Sequence, residues 1–358
     1  MVNFCSDNVS GAAPEVMAAL QRANEAGAAN SYGADDWTAR VEARLCEIFE
    51  TDLAAFPVAT GSAANALGLS LLTPPYGALY CHPEAHINVD ECGAPELFSG
   101  GAKLVTVPGA HAKMPAEGLA KAIHGAGIVH HMQPAAISLS QVTEAGTLYS
   151  LDEIAALTAI AKEHRLGVQM DGARFANALV ALGCTPAEMT WKAGIDVLAF
   201  GATKNGAFAA EAVVLFDPAQ RERFGYLRKR GGHLFSKMRF LSAQLEAYLA
   251  DDLWLANARH ANAMAAKLTA GLEALPDVAL VHPTQANMIF ARLPTALIDA
   301  LLAEGHQFYR WPSSEGEGAG EAVEEIRLVV AFNTPESDVE AFLADAGRLS
   351  GAALRESA

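Results

Sequence analysis

The sequence predicts an α/β protein built around one wide, mostly parallel β-sheet, with a second, smaller domain. Short apolar segments that end in Gly, Asp, Ser or Thr alternate with Ala-rich helical patterns, which is typical of repeated strand–helix units. A chain of 358 residues, 51% of them hydrophobic, can bury a large core and has the length of about two domains.

Seven apolar segments are predicted to be the strands of the large sheet. Each has the length of a buried strand and is followed by turn-forming residues. The strands cover residues 53–58, 78–81, 103–107, 136–139, 166–170, 197–200 and 212–216. Some tens of residues precede the first strand, and we expect them to form an N-terminal arm that packs away from the sheet, for example on a neighbouring subunit.

The pattern changes after residue 216. Residues 221–275 have the pattern of a nearly continuous helix. A small α+β module is predicted to follow, with strands at 278–281, 288–293 and 326–331 and helices at 295–304 and 336–349. Residues 315–321, rich in Gly and Glu, are expected to form a mobile loop within it. We therefore predict a large α/β domain over residues 1–250 and a small C-terminal α+β domain over residues 251–358.

The charge balance excludes some functions. The chain has 25 Lys and Arg against 41 Asp and Glu, a formal net charge of −16. Nucleic-acid binding depends on clustered basic residues, and the densest basic run, residues 228–230, is too short to supply them. We therefore predict no nucleic-acid partner.

The cysteine count and the hydropathy pattern indicate a cytoplasmic enzyme. Five cysteines at irregular spacings, with no Cys-x-x-Cys pair, fit neither a disulfide framework nor a zinc site. We find no secretion signal and no apolar run of the roughly 18 residues that a membrane span needs. Membrane association is therefore not expected.

Polar residues at the predicted strand ends are the candidate functional groups, because ligands of open parallel sheets bind beyond the carboxyl ends of the strands. Thr60, Gly61 and Ser62 follow the first strand and begin a helix, where a flexible backbone and free amides suit a phosphate. Asp171 and Lys204, 33 residues apart, each follow a predicted strand. Taken singly, each signal fits equally well with a helix cap or a surface ion pair.

Together, and in this order, these residues resemble the low-specificity L-threonine aldolases, enzymes of the aspartate aminotransferase type that use pyridoxal 5'-phosphate (PLP). The resemblance extends over nearly the whole chain. It rests on the segments Ser6-Asp7, Tyr32-Gly33, Thr60-Gly61-Ser62 with Asn65, Ala85-His86, Asp171-Gly172-Ala173-Arg174, Thr203-Lys204 and Ile326-Arg327-Leu328-Val329.

The resemblance implies a fold-type-I architecture, PLP as cofactor, and a homo-oligomer, either a dimer or a tetramer, with active sites between subunits. The reaction it implies is retro-aldol cleavage of L-threonine, L-allo-threonine and related β-hydroxy-α-amino acids to glycine and an aldehyde. Such a cleavage leaves a carbanion on Cα, and PLP is the electron sink that makes this possible.

The resemblance also assigns the cofactor-binding residues. Lys204 would form the covalent link to PLP, Asp171 would pair with the pyridine nitrogen, and His86 would stack on the ring. The full set would comprise Gly61, Ser62, His86, Asp171, Arg174 and Lys204, with Gly61 and Ser62 at the phosphate.

The substrate-binding residues are assigned in the same way. Arg174 and Arg327, with Ser6, would bind the substrate carboxylate, and Tyr32 would line the site. A histidine with a pKa near neutrality suits the removal of the β-hydroxyl proton. His86 and His131 are the two candidates.

The chain departs from the family pattern near the substrate's side-chain end, where Cys5 and Asn8 flank Ser6-Asp7 and Gln141-Val142-Thr143-Glu144 replaces Glu-Asn-Thr-His. A preference of the phenylserine aldolase type and a PLP-dependent β-eliminating lyase are therefore kept as alternatives. A non-enzymatic sugar-phosphate or nucleotide-binding protein is a third. His82, Glu84, His86, Asp90 and Glu91 have the residue types of metal ligands, but we predict no metal site.

Overall fold

The computed structural model describes residues 2–311 and 323–356 of the chain, and side chains as far as residue 350. The chain forms two compact units. The larger comprises Ala12–Glu144 and Leu148–Trp254, and the smaller comprises Met1–Gly11, Ala145–Thr147 and Leu255–Ala358. The predicted domain boundary between residues 250 and 251 stays a prediction. The predicted mobile loop at 315–321 lies outside the described residues.

The larger unit is built on a seven-stranded sheet, in which all seven predicted strands are present. The strands are β1 (Ala54–Val58), β2 (Gly77–Cys81), β3 (Lys103–Thr106), β4 (Gln133–Ser140), β5 (Gly167–Gly172), β6 (Val197–Gly201) and β7 (Glu211–Leu215). Their order is β1-β7-β6-β5-β4-β2-β3, and only β7 runs antiparallel to its neighbours. The predicted mostly parallel α/β sheet is therefore confirmed.

Helices connect and cover these strands. They are α1 (Pro14–Glu25), α2 (Asp36–Phe49), α3 (Gly61–Leu72), α4 (His86–Val89), α5 (Ala94–Ser99), α6 (Ala116–Ala122), α7 (Leu151–Glu163), α8 (Phe175–Leu182), α9 (Pro186–Met189), α10 (Arg221–Arg230) and α11 (Arg239–Leu249). The helix α3 is buried along most of its length and contributes Ala64, Leu67 and Leu71 to the same apolar core as Phe56 and Val213. This burial fixes the start of α3 relative to the sheet.

The predicted continuous helix over residues 221–275 is wrong. The helix α10 ends at Arg230, and the next residues include Gly232, whose φ of 78° does not fit a helix. A second break follows α11, where Asp251 and Asp252 have φ of 49° and 55°. Apolar periodicity continues across both breaks, so the hydrophobic pattern alone did not reveal them.

The smaller unit packs three helices against a four-stranded antiparallel sheet. Its elements are α12 (Leu253–Glu273, which begins in the larger unit), β8 (Ala279–Leu280), β9 (Met288–Pro294), α13 (Thr295–Ala303), β10 (Tyr309–Trp311), β11 (Val323–Val329) and α14 (Glu336–Glu356). The sheet order is β10-β11-β9-β8, and the three-residue β10 was not predicted. The α+β character predicted for this region is confirmed.

The first residues of the chain belong to the smaller unit. Phe4 is fully buried, and its ring lies 5.5 Å from that of Phe342 in an edge-to-face arrangement. Phe4 also donates a backbone hydrogen bond to Gln307. Residues 2–11 are thus held by their own chain, and the expectation that the N-terminal arm packs on a neighbouring subunit stays a prediction.

Candidate active site

One edge of the large sheet collects most of the candidate residues. The strands β1, β2, β4, β5 and β6 all run in the same direction, so their carboxyl ends lie at the same edge. The residues of interest at or just after these ends are Thr60, Gly61, Ser62, His86, Glu144, Asp171, Arg174 and Lys204. The sequence prediction of a site at this edge agrees with this arrangement.

The start of α3 offers an anion site. Thr60 caps the helix, and its side chain accepts a 3.2 Å hydrogen bond from the Ala63 amide. Gly61 and Ser62 occupy the first helical positions, where backbone amides have no partner within the helix. A Cβ atom at Gly61 would meet no other atom within 4 Å, so the space above this turn is open. These amides and the helix dipole favour a phosphate.

Asp171 is a buried carboxylate at the end of β5, with 5% of its surface exposed. Its Oδ2 accepts a 2.8 Å hydrogen bond from Asn65, and its Oδ1 accepts one of 3.0 Å from the Ala173 amide. Both donors hold the carboxylate in one orientation. The site therefore presents a fixed negative charge that suits a protonated ring nitrogen.

His86 begins the short helix α4 and is paired with Glu91. Its Nδ1 lies 2.9 Å from Glu91 Oε1. The hydrogen bond to Glu91 raises the pKa of His86 against the opposing effect of burial, and burial raises the pKa of Glu91. Because the pKa values of both groups are raised, His86 and Glu91 retain their shared proton to a higher pH than the separate groups would.

Lys204 lies in the short connection between β6 and β7. Its neighbour Asn205 anchors this turn by donating 2.8 Å hydrogen bonds to the Tyr248 hydroxyl and to the Trp254 carbonyl. Glu211, the first residue of β7, accepts a 2.7 Å hydrogen bond from the Ala202 amide. The backbone that carries Lys204 is thus held from both sides.

Glu211 is a buried acid that the sequence analysis missed. Burial raises its pKa to about 7, while hydrogen bonds from Thr203 and Ala202 and the nearby Lys204 charge act in the opposite direction. No sequence signal pointed to Glu211, since it lies within an apolar strand and its partner amide lies across the β6–β7 turn.

Glu144, which follows β4, completes the charged cluster. Burial and the Asp171 carboxylate raise its pKa, whereas Arg174, Lys204 and His86 lower it. Glu144 had been noted only as a departure from the family pattern. Glu144 interacts electrostatically with each of these residues, and together they form a cluster that contains both positive and negative charges.

The structure does not bring His131 to this edge. His131 is exposed and precedes β4, whereas Asp171 lies beside the last residue of that strand, Ser140. An eight-residue strand spans about 25 Å, so His131 lies at the opposite edge of the sheet in its own chain. The assignment of His131 as a catalytic residue stays a prediction.

Tyr32 lies in the larger unit, before α2, and half of its surface is exposed. Its amide donates a 3.1 Å hydrogen bond to the Ser236 carbonyl, and Lys229 Nζ lies 5.4 Å from its ring centre. These contacts leave its assignment to the substrate site as a prediction.

Ser6 and Arg327 both belong to the smaller unit. The Ser6 hydroxyl accepts a 3.1 Å hydrogen bond from the Asn8 amide. The Arg327 guanidinium lies 4.3 Å from the ring centre of Trp311 and donates a 3.1 Å hydrogen bond to the Cys5 carbonyl. Stacking and hydrogen bonding hold the guanidinium in one orientation, as recognition of a planar carboxylate requires.

Three of the residues weighed as metal ligands, His82, His86 and Glu91, have other hydrogen-bond partners. His82 Nε2 lies 3.0 Å from the Gly109 carbonyl, its Nδ1 accepts from the Glu84 amide, and His86 pairs with Glu91. Over residues 2–311 and 323–356, no group of three or more His, Cys, Asp or Glu side chains has an arrangement suited to a metal.

These features fit PLP. The first turn of α3 can take a phosphate, Asp171 can take a protonated ring nitrogen, and Lys204 can supply an amine. On a mostly parallel seven-stranded sheet with a small α+β unit, this set defines a fold-type-I PLP enzyme.

Comparison with known proteins gives the family. The family model described as β-eliminating lyase matches residues 3–294. The chain is 42% identical to the low-specificity L-threonine aldolase of a Pseudomonas species, over 96% of both chains. It is also 42% identical to that of Pseudomonas aeruginosa, over 91% of this chain and 97% of the relative. The chain belongs to the β-eliminating lyase family and, within it, to the low-specificity L-threonine aldolases.

A solved structure supports the same relationship. The threonine aldolase of Leishmania major is 29% identical and matches 98% of this chain and all of that one, with a TM-score of 0.90. The resemblance expected from the sequence is therefore confirmed over nearly the whole length.

Proposed function

We propose that this enzyme is a PLP-dependent aldolase that cleaves L-threonine, L-allo-threonine and related β-hydroxy-α-amino acids to glycine and an aldehyde. The observation that carries the proposal is the joint placement of the Asn65-bound Asp171 carboxylate and the Lys204 turn at one sheet edge. When bound, PLP supplies the electron sink that stabilises a carbanion on the substrate Cα.

The residues of the larger unit hold and tune this cofactor in the proposed mechanism. Gly61 and Ser62 bind the phosphate through backbone amides, and the Asp171 carboxylate keeps the pyridine nitrogen protonated. Lys204 binds the cofactor through its amine, which must lose its proton to do so. The acids Glu144 and Glu211 lie within electrostatic range of that amine.

The substrate is oriented through its carboxylate. Arg174 and Arg327, with Ser6, bind this group in the proposal, and a guanidinium can do so with two parallel hydrogen bonds. Holding the carboxylate in one place would fix the orientation of the bonds at Cα and so would favour cleavage of the Cα–Cβ bond. His86 takes the proton of the β-hydroxyl group.

The proposal includes a cytoplasmic homo-oligomer, a dimer or a tetramer, with active sites between subunits. All five cysteines are free thiols, as in reduced compartments. Within the described residues, no helix is long and apolar enough to cross a membrane. In the proposal His131 serves the site of another copy; its position before β4, with Asp171 beside the other end of that strand, supports this.

A product assay tests the proposal. Purified enzyme is incubated with L-threonine, L-allo-threonine and phenylserine, and glycine, aldehyde, pyruvate and ammonia are measured. We expect glycine and aldehyde in equal amounts, with no activity in Lys204→Ala and normal activity in Lys192→Ala, a partly exposed lysine paired with Glu50. Pyruvate and ammonia as the main products would instead identify a β-eliminating lyase.

A labelling experiment tests the covalent link. Borohydride reduction of the enzyme as purified should attach the pyridoxyl group to the peptide that contains Lys204. Labelling of another lysine, or a colourless protein that takes up no PLP, would contradict the assignment.

A further inference from the structure

A buried hydrogen-bond network connects His86 to Asp171 through two side chains that the mechanism has not used. Asn65 Nδ2 donates 2.8 Å hydrogen bonds to Asp171 Oδ2 and to Glu91 Oε1. Glu91 Oε1 also lies 2.9 Å from His86 Nδ1. Gln169 Nε2 donates a 2.8 Å hydrogen bond to Asn65 Oδ1.

These contacts determine the orientation of the Asn65 amide. An amide carries two donor hydrogens, and both are used by the carboxylates of Glu91 and Asp171, while the amide oxygen accepts from Gln169. A flipped amide would turn its oxygen toward the two carboxylates. The network therefore requires Glu91 to act as an acceptor at Asn65.

The same oxygen of Glu91 then requires a donor at His86. A neutral imidazole carries its proton on only one nitrogen, and a carboxylate at Nδ1 selects the form with the proton on Nδ1. This leaves a lone pair on Nε2. The ring keeps 30% of its surface exposed, whereas the Glu91 side chain is fully buried.

Structural stability does not account for Glu91. Its second oxygen, Oε2, is buried and has no hydrogen-bond partner among the residues that the structure describes. A buried carboxylate with an unsatisfied oxygen is unfavourable for folding. Retaining it there makes sense if its charge acts on His86.

We propose that Glu91, held by Asn65, is a positioning residue for the aldol cleavage: it binds the Nδ1 proton of His86 and leaves Nε2 to accept the β-hydroxyl proton of the substrate. As that proton moves to Nε2, the O–H electron pair forms the carbonyl bond of the aldehyde. The electrons of the broken Cα–Cβ bond stay with Cα, and the Glu91 charge stabilises the imidazolium. The inference rests on the proposed function.

Other charges face His86 as well. Asp171 on β5 and Glu144 after β4 both act on it electrostatically, in the same direction as Glu91. Only Glu91 is hydrogen-bonded to the ring, so only its replacement removes the charge that contacts the Nδ1 proton directly.

The test compares Glu91→Gln with Glu84→Gln, the same chemical change at an exposed position of the same segment. In Glu91→Gln an amide oxygen at the position of Oε1 can still accept from both Asn65 and His86 Nδ1, but the side chain no longer carries the charge that stabilises the imidazolium. We expect kcat to fall about 100-fold, at the low end of the range for a general base, with KM little changed. Glu84→Gln should match wild type.

The position of the proton is measured independently of activity. Nitrogen-15 NMR spectra of the full-length, histidine-labelled protein distinguish the two imidazole forms, and His86→Gln identifies the His86 signals by their loss. We expect the neutral ring of His86 in the Nδ1–H form in all three proteins, and a lower His86 pKa in Glu91→Gln than in wild type and Glu84→Gln.

The outcomes separate this inference from the proposed function. An Nε2–H form in the wild-type protein would overturn the inference even if Glu91→Gln failed to fold. Equal kcat values for Glu91→Gln and Glu84→Gln in an active aldolase would also overturn it. The expected proton positions in a protein without aldolase activity would support the geometry and contradict the proposed function.

Discussion

Asn65 donates a 2.8 Å hydrogen bond to the Asp171 carboxylate across 106 residues of sequence. Asn65 lies one helical turn beyond Gly61 on α3, so a single buried helix carries the anion-binding turn and the residue that orients Asp171. Since α3 packs tightly against the sheet, both features keep a fixed relation to β5. This explains how a site assembled from distant segments can be rigid.

Asp171→Asn should reduce kcat more than any other single change at this edge that leaves Lys204 in place. The amide removes the negative charge opposite the ring nitrogen, and a cost of about 100-fold or more is typical for a preorganised electrostatic partner. The cofactor should remain bound through Lys204. Steady-state kinetics and the cofactor absorption of the purified variant measure both effects.

Asp196→Asn is the matched control. Asp196 also accepts a backbone hydrogen bond, 2.8 Å from the Val168 amide, but it lies just before β6, at the amino edge of the sheet. Its replacement should leave kcat near the wild-type value. Equal losses in the two variants would show that Asp171 acts on folding and not on the cofactor.

Arg327→Lys should raise KM for the amino acid and lower kcat, with cofactor content unchanged. Lysine cannot reproduce the planar, two-pronged contact with a carboxylate or the stacking on Trp311 at 4.3 Å. Arg310→Lys, on the same small sheet and paired with Glu324 near the surface, is the control. Kinetics with L-threonine measure the change, and an unaltered KM would remove Arg327 from the substrate site.

The sequence was sufficient to predict the seven strands and the two residues at their ends, Asp171 and Lys204. Buried parallel strands are short apolar runs with clear breaks, and polar residues after such runs stand out locally. The order of these residues along the sequence then distinguished the predicted site from unrelated helix caps and surface turns.

The features that the sequence analysis did not predict depend on contacts between residues that lie far apart in the chain. Glu91 and Glu211 have no local signature, because their partners lie on other elements and only the fold brings them together. His131 was assigned from resemblance alone, and its catalytic role stays a prediction. The break at Gly232 depends on a backbone angle that apolar periodicity does not report.

Gly201→Ala should destabilise the enzyme and disturb the Lys204 turn. A Cβ at Gly201 would lie 2.5 Å from the Ala173 carbonyl oxygen and 2.6 Å from that of Gly172, so the ends of β5 and β6 would have to separate. Overpacking of this kind costs about 1–3 kcal/mol. Urea unfolding measures the loss, and activity per folded enzyme should fall as well.

Gly225→Ala provides the comparison. Gly225 lies inside α10, and a Cβ there would meet no atom within 4 Å. Alanine should stabilise this helix by about 0.5–1 kcal/mol relative to glycine. A stability loss at Gly225 as large as that at Gly201 would contradict the steric explanation.

Glu211→Gln should change how stability depends on pH. Burial raises the pKa of Glu211 from 4.5 to about 7, so between these values the native state holds a proton that the unfolded state has released. The free energy of unfolding of the wild type therefore falls as pH rises through this window, by about 3 kcal/mol in total. Glutamine does not titrate and can still accept from the Ala202 amide, so the variant should gain stability relative to wild type from pH 4.5 to 7.

Glu153→Gln should change the pH dependence of stability in the direction opposite to Glu211→Gln. Burial on its own would raise the pKa of Glu153, but the hydrogen bonds from Lys113 and Ser150 lower this pKa below its ordinary value. Its charged form thus contributes stability above its unfolded pKa, and that contribution is lost as pH falls. Glu153→Gln should therefore be less stable than wild type near neutrality, and the difference should shrink in acid. Urea unfolding of both variants across pH 4–8 measures the two slopes, and parallel curves for Glu211→Gln and wild type would show that Glu211 titrates normally.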